Sequence, residues 1–109
     1  MMQTDHITDF GLNQRDIQTI TAIFTKYPDI KEVHIFGSRA IGSFKPASDI
    51  DLAIMNDIAS DRTLAQIKSD FDDSSLPYFV DIVLFTTLSH PELKEHIKHV
   101  GLPFYQIVQ

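Results

Sequence analysis

Residues 33–54 read VHIFGSRAIGSFKPASDIDLAI. The stretch has the pattern of a strand, a tight turn anchored on Gly37, a loop, and a second strand opening on Asp49 and Asp51. Side chains on a strand alternate between faces and repeat after roughly 6.5–7 Å, so the two carboxylates point the same way and can share metal ions. Ile50, Leu52 and Ile54 point the other way and can enter a core. One face of this strand therefore carries chemistry and the other carries packing.

The rest of the chain fits a scaffold around that strand. With 109 residues, 43% of them hydrophobic, it suits one α/β domain over 1–109, with residues 1–11 as a loose polar arm. A helix is expected from 13 to about 26. Asn13 is placed to cap it, Asp16 sits at the third position, Leu12 and Ile17 have staple spacing, and Pro28 follows its end. Its apolar stripe is Ile17, Ile20, Ile23, Phe24 and Tyr27. A second helix, capped by Ser60, carries Leu64, Ile67 and Phe71 at helical period. Residues 78–85 form a third strand, apolar on both faces except at Asp81, which predicts a place in the sheet interior. A strand, a helix and a strand in one sheet make a right-handed parallel crossover, so the third strand should run parallel to the second; the first and second should be antiparallel. Pro91, with His90 or Ser89 as cap, opens a last helix that Gly101 ends, and the closing LPFYQIVQ suits a short final strand.

Composition narrows the function. Fifteen acidic against nine basic residues give a net charge of −6, which argues against a broad nucleic-acid-binding face. The absence of cysteine excludes disulfides and thiolate metal sites and is compatible with a reducing cytoplasm, the expected location. The N-terminal MMQTDHITDF has no basic leader followed by an apolar run, and no segment has the ~18 consecutive apolar residues of a membrane span, so neither a secretory signal nor a membrane anchor is expected.

Asp81 would share a face with Phe79, Val83 and Phe85. If the second and third strands are neighbours, three carboxylates converge with no basic residue in either strand to neutralise them. Only Arg39 and Lys45 lie nearby in sequence, and a divalent cation is the natural counter-charge. Oxygen-only ligands favour magnesium or manganese, and magnesium commonly completes its shell with water and substrate phosphates. The turn supplies the complement: Gly37 allows close backbone approach, Ser38 opens a helical turn with free amides, and Arg39 adds charge. His90, His96 and His99 cannot close a tetrahedral zinc site from one helix and read as solvated helix residues. Phe79 and Phe85 read as core, with stacking on a nucleotide base as the alternative.

Gly37-Ser38, ten residues, then Asp49-Ile50-Asp51 and a further strand aspartate at Asp81 resemble the signature of the DNA polymerase beta-like nucleotidyltransferase superfamily. Within it, a chain of this length is similar to the minimal nucleotidyltransferases, or MNT domains, of bacteria and archaea. The resemblance covers residues 13–107 and implies a small mixed β-sheet with helices packed on one face. It implies two magnesium ions and ATP or another nucleoside triphosphate. Asp49, Asp51 and Asp81 match the catalytic, metal-binding carboxylates, and Gly37 and Ser38 the triphosphate-binding turn, with Arg39 beside them. Ile41 stands where many members carry a second basic residue. The resemblance further implies AMP transfer to an acceptor supplied by a helical HEPN-fold partner, either a toxin that an antitoxin adenylylates or a substrate-binding subunit. Two alternatives come from other classes: a non-catalytic nucleotide-binding regulatory module, and a stand-alone transferase acting on a small molecule. The C-terminal LPFYQIVQ is a candidate partner contact, or else a cover for the chain's own core.

Overall fold

Asn13 caps the first helix as its sequence predicts: its side chain accepts from the Asp16 amide at 2.8 Å, and Asp16 accepts from the Asn13 amide at 3.3 Å. This reciprocal pair satisfies two otherwise orphaned donors and starts α1, Gln14–Thr25. The computed structural model describes residues 10–58 and 61–107. Most of the expected N-terminal arm and the Ser60 cap lie outside these residues.

From α1 the chain enters β1, Glu32–Phe36, then a short helical turn α2, Ser38–Ile41, then β2, Ile50–Ile54. Helix α3, Asp61–Asp72, leads to β3, Val80–Leu84; a 3-10 turn at Phe85–Thr87 precedes α4, Pro91–Val100, and β4, Leu102–Gln106, closes the order. His90 caps α4 by accepting from the Leu93 amide at 3.1 Å, with Pro91 in its first turn. The four strands lie in the order β3-β2-β1-β4. Strand β1 is antiparallel to β2 and β4, and β2 is parallel to β3, so both expected orientations are present.

Alternation along the strands divides the sheet into two faces. Val33, Ile35, Ile50, Leu52, Ile54, Ile82 and Leu84 point to one face and are buried beneath α1 and α3. There Phe24 meets Phe71 edge-on at 5.6 Å and Tyr105 at 5.5 Å. Burial of this apolar face is the main stabilising contribution. Phe36, Ala53 and Val83 point to the other face, where Ile97 of α4 covers them. The mixed sheet and its helices are as expected, with one refinement: α4 packs on the face opposite α1 and α3.

Two expectations change at the sheet margins. Strand β3 lies at the edge rather than in the interior. Its apolar character comes from cover on both faces, which says nothing about whether its outer hydrogen bonds are paired. At the other edge, β4 is the expected final strand; its Phe104 and Tyr105 pack on the core, while Leu102 is 43% exposed. Among the described residues no helix is long and apolar enough to cross a membrane.

Candidate active site

The register of β2 against β3 pairs Asp51 with Asp81. Neighbouring strands lie about 4.8 Å apart, so these carboxylates stand side by side on the face that α4 only partly covers. Asp49, two residues before Asp51, is near enough for its charge to act on that carboxylate. Asp49 and Asp81 are exposed and Asp51 is half-buried. The exposure of Asp81 follows from the edge position of β3, where an interior strand was expected. No ion pair to any of the three is found among the described residues.

That crowding raises the proton affinity of Asp51. Burial pushes its carboxyl up to about 6, the charges of Asp81 and then Asp49 push the same way, and His96 opposes them. Hard oxygen donors held together against their own repulsion suit magnesium or manganese. Among the described residues no group of three or more His, Cys, Asp or Glu side chains is gathered tightly enough to hold a metal ion by itself. An ion here would draw further ligands from water or phosphate, as magnesium commonly does.

The turn before β2 is built around Asp51. Phe36, the last residue of β1, is its register partner, and Gly37 follows directly. Gly37 has φ 75° and ψ −157°, and a Cβ there would collide with the Asp51 carboxylate. Only glycine allows the chain to leave β1 in this conformation so close to the acid. Ser38 then begins α2, which ends at Gly42 in the left-handed region with φ 86°.

Arg39, expected beside the triphosphate-binding turn, points inward. The residue is 2% exposed. It donates to the Phe10 carbonyl at 2.8 Å, to the Ser48 carbonyl at 2.9 and 3.2 Å, and to the Pro46 carbonyl at 3.3 Å. The Phe44 and Tyr78 rings lie 5.1 and 4.8 Å from Cζ. With its donors spent on backbone carbonyls, Arg39 fastens the 43–49 loop that delivers Asp49. Lys45 is exposed on that loop.

Two other residues sit differently from their sequence reading. Phe79, read as core, is 65% exposed, and its carbonyl accepts from the Ile50 amide at 2.9 Å, beside Asp49. His96, read as solvated, is half-buried with its ring edge-on to Phe36 at 6.1 Å. The signal for His96 was present in its spacing: Leu93, Ile97 and Val100 form the inner stripe of α4, and His96 lies on that side. A groove of about 420 Å³ between α1 and α3, lined by residues that include Thr19, Ile23, Lys26, Asp70 and Ser75, belongs to the opposite side of the sheet from the aspartates. There Asp70 accepts from the Tyr27 hydroxyl and pairs with Lys26 at 3.0 Å.

Residues 18–107 match the family described as polymerase beta, nucleotidyltransferase. The chain belongs to the polymerase beta nucleotidyltransferase family. A Haemophilus influenzae protein described as the probable protein adenylyltransferase MntA is 37% identical in an alignment 82 residues long that covers 71% of this chain and 64% of that protein. The chain thus spans less than two thirds of that relative's length. Among solved structures, a toxin-antitoxin with AMP-PNP has a TM-score of 0.67 at 21% identity, over 84% of this chain and 74% of that one. A variant of the toxin-antitoxin MntA-HpeT has a TM-score of 0.64 at 23% identity, over 88% and 74%. These likenesses establish the nucleotidyltransferase fold, in which the paired strands carry Asp51 and Asp81 side by side.

Proposed function

We propose that the chain is a magnesium-dependent nucleotidyltransferase that moves AMP from ATP to an acceptor group on a helical, HEPN-type partner protein. The observation that carries this reading is the pairing of Asp51 with Asp81 across β2 and β3, with Asp49 two residues before Asp51, no ion pair to any of the three among the described residues, and the Gly37-Ser38 turn directly beside Asp51. The adenylyl specificity and the partner draw support from the relatives: one is described as a probable protein adenylyltransferase and others as toxin-antitoxin complexes, one with AMP-PNP.

In the proposed reaction an acceptor oxygen attacks the α-phosphorus in line. A new P–O bond forms, the bond to the bridging oxygen of the β-phosphate breaks, and pyrophosphate leaves. Asp49 and Asp51, with Asp81 alongside, would hold magnesium, which when bound would supply positive charge to stabilise the entering and leaving oxygens. Gly37 and Ser38 present backbone amides toward the outgoing phosphates. Asp81, exposed at the sheet edge, would take the acceptor's proton. The three uncompensated carboxylates speak against a module that only binds nucleotide, because binding alone has no use for such repulsion.

Asp51→Asn tests the reading. AMP transfer from ATP in the presence of magnesium should fall by at least about 100-fold while the fold persists, since one metal-binding carboxylate is lost and its shape kept. Equal transfer by variant and wild type at saturating magnesium would overturn it.

A further inference from the structure

With Arg39 withdrawn into the protein, the turn that should receive a triphosphate offers no cation. The structure assigns a replacement: we infer that His96 is a phosphate-contacting residue of the site, donating an imidazole N–H to the nucleotide's polyphosphate. This deepens the nucleotidyltransferase reading and rests on it.

Three observations carry the assignment. The first is position. His96 lies on the inner side of α4 with its ring against Phe36 at 6.1 Å. Phe36 is at once the register partner of Asp51 and the residue before Gly37. The imidazole therefore stands beside the junction of acid and turn, where a polyphosphate reaching from one to the other would pass. The second is availability. Three other histidines are engaged: His34 with Glu32 at 2.7 Å, His90 with the Leu93 amide at 3.1 Å, and His99 with the Glu95 carbonyl at 2.8 Å. His96 makes no hydrogen bond among the described residues, although it is half-buried. A half-buried imidazole without a protein partner is placed to meet water or ligand. The third is charge. Among the described residues no ion pair joins His96 to Asp49, Asp51 or Asp81. The gap leaves the imidazole free to face an anion.

Either ring tautomer supplies one N–H, so the contact does not require a charged histidine. The neighbouring carboxylates repel an anion on their own. A donor on the α4 side, opposite the turn amides, would hold the phosphates from two directions while the acids hold the metal.

The test compares His96→Phe, which keeps a ring against Phe36 but has no donor, with His96→Gln, which keeps a donor on a shorter side chain. Dissociation constants are measured by calorimetry for ATP, inorganic tripolyphosphate and AMP, each with magnesium, and circular dichroism confirms folding. His96→Phe should weaken ATP and tripolyphosphate about 10- to 100-fold, the range for a hydrogen bond to a charged group, and change AMP binding less than about threefold. His96→Gln should recover part of the loss. Unchanged ATP affinity in His96→Phe, or AMP weakened as much as ATP, would overturn the assignment while leaving the nucleotidyltransferase reading in place. If wild-type protein binds neither ATP nor tripolyphosphate with magnesium, the underlying reading fails and takes the assignment with it.

Discussion

Arg39 shows how a residue next to the site can serve it without touching substrate. Arg39 is 2% exposed and, without a carboxylate partner among the described residues, is held by three carbonyl oxygens and two aromatic faces. The planar fork reaches those carbonyls from one side chain, and a lysine ammonium cannot reproduce that geometry. Arg39→Lys is expected to destabilise the protein by about 2–4 kcal/mol in urea denaturation, through carbonyls left unsatisfied and lost stacking. The part of the sample that remains folded should keep its affinity for tripolyphosphate. A variant of unchanged stability that loses triphosphate binding would restore Arg39 to the phosphate site. The sequence places Arg39 one residue from Ser38, but chain proximity does not fix the direction of a long side chain, and the inward turn depends on Phe10, Phe44 and Tyr78, which lie far apart along the chain. His96 is the converse case. Its inner-face spacing was readable, but its meaning required knowing that α4 lies against Phe36.

At the level of elements, the legible features were those governed by local rules. Asn13 and Asp16 announce a helix start because their side chains satisfy backbone donors three residues apart, and Pro91 and Gly101 bracket α4 by their backbone preferences. Asn13→Ala should cost about 1 kcal/mol, measurable in urea, without altering nucleotide binding, because α1 lies on the sheet face opposite the aspartates. A large loss of binding in this variant would mean that α1 shapes the site. The position of β3 was not legible. Its run of Val80, Ile82, Val83 and Leu84 reports cover by helices on both faces, whereas a sheet edge is defined by unpaired backbone groups that leave little trace in side-chain pattern. The same edge explains why Asp81 and Phe79 are exposed although an interior strand would have hidden them.

For the molecule as a whole, the acidic face sets stability against function. Native Asp51 holds its proton up to about 6 against an ordinary value of 3.8, with burial as the main cause. The native state therefore carries more protons than the unfolded chain between pH ~4 and ~6, and this group's contribution to stability falls as pH rises through that window. Asp70 acts in the opposite sense. The Tyr27 hydroxyl and then Lys26 hold its carboxyl below the usual range, so its contribution is present at neutral pH and is lost on acidification below about pH 4. Asp51→Asn isolates the first effect. Without metal it should melt about 4–8 °C above wild type at pH 7.5, the shift produced by roughly 1 kcal/mol in a domain of this size, and show little advantage near pH 4. An equal gain at both pH values would mean that charge repulsion is not its source. The same substitution that stabilises the apo protein should remove activity, as expected where carboxylates are kept together for chemistry rather than for folding.

AMP transfer from this acidic face to a protein partner is the proposed reaction. It is tested by incubating the chain, magnesium and the product of the adjacent reading frame with ATP labelled either at the α- or at the γ-phosphate, beside an Asp51→Asn control. Covalent label is expected on the partner from α-labelled ATP, none from γ-labelled ATP, and none with the variant. Label arriving from the γ-phosphate, or equal α-label with Asp51→Asn, would contradict it.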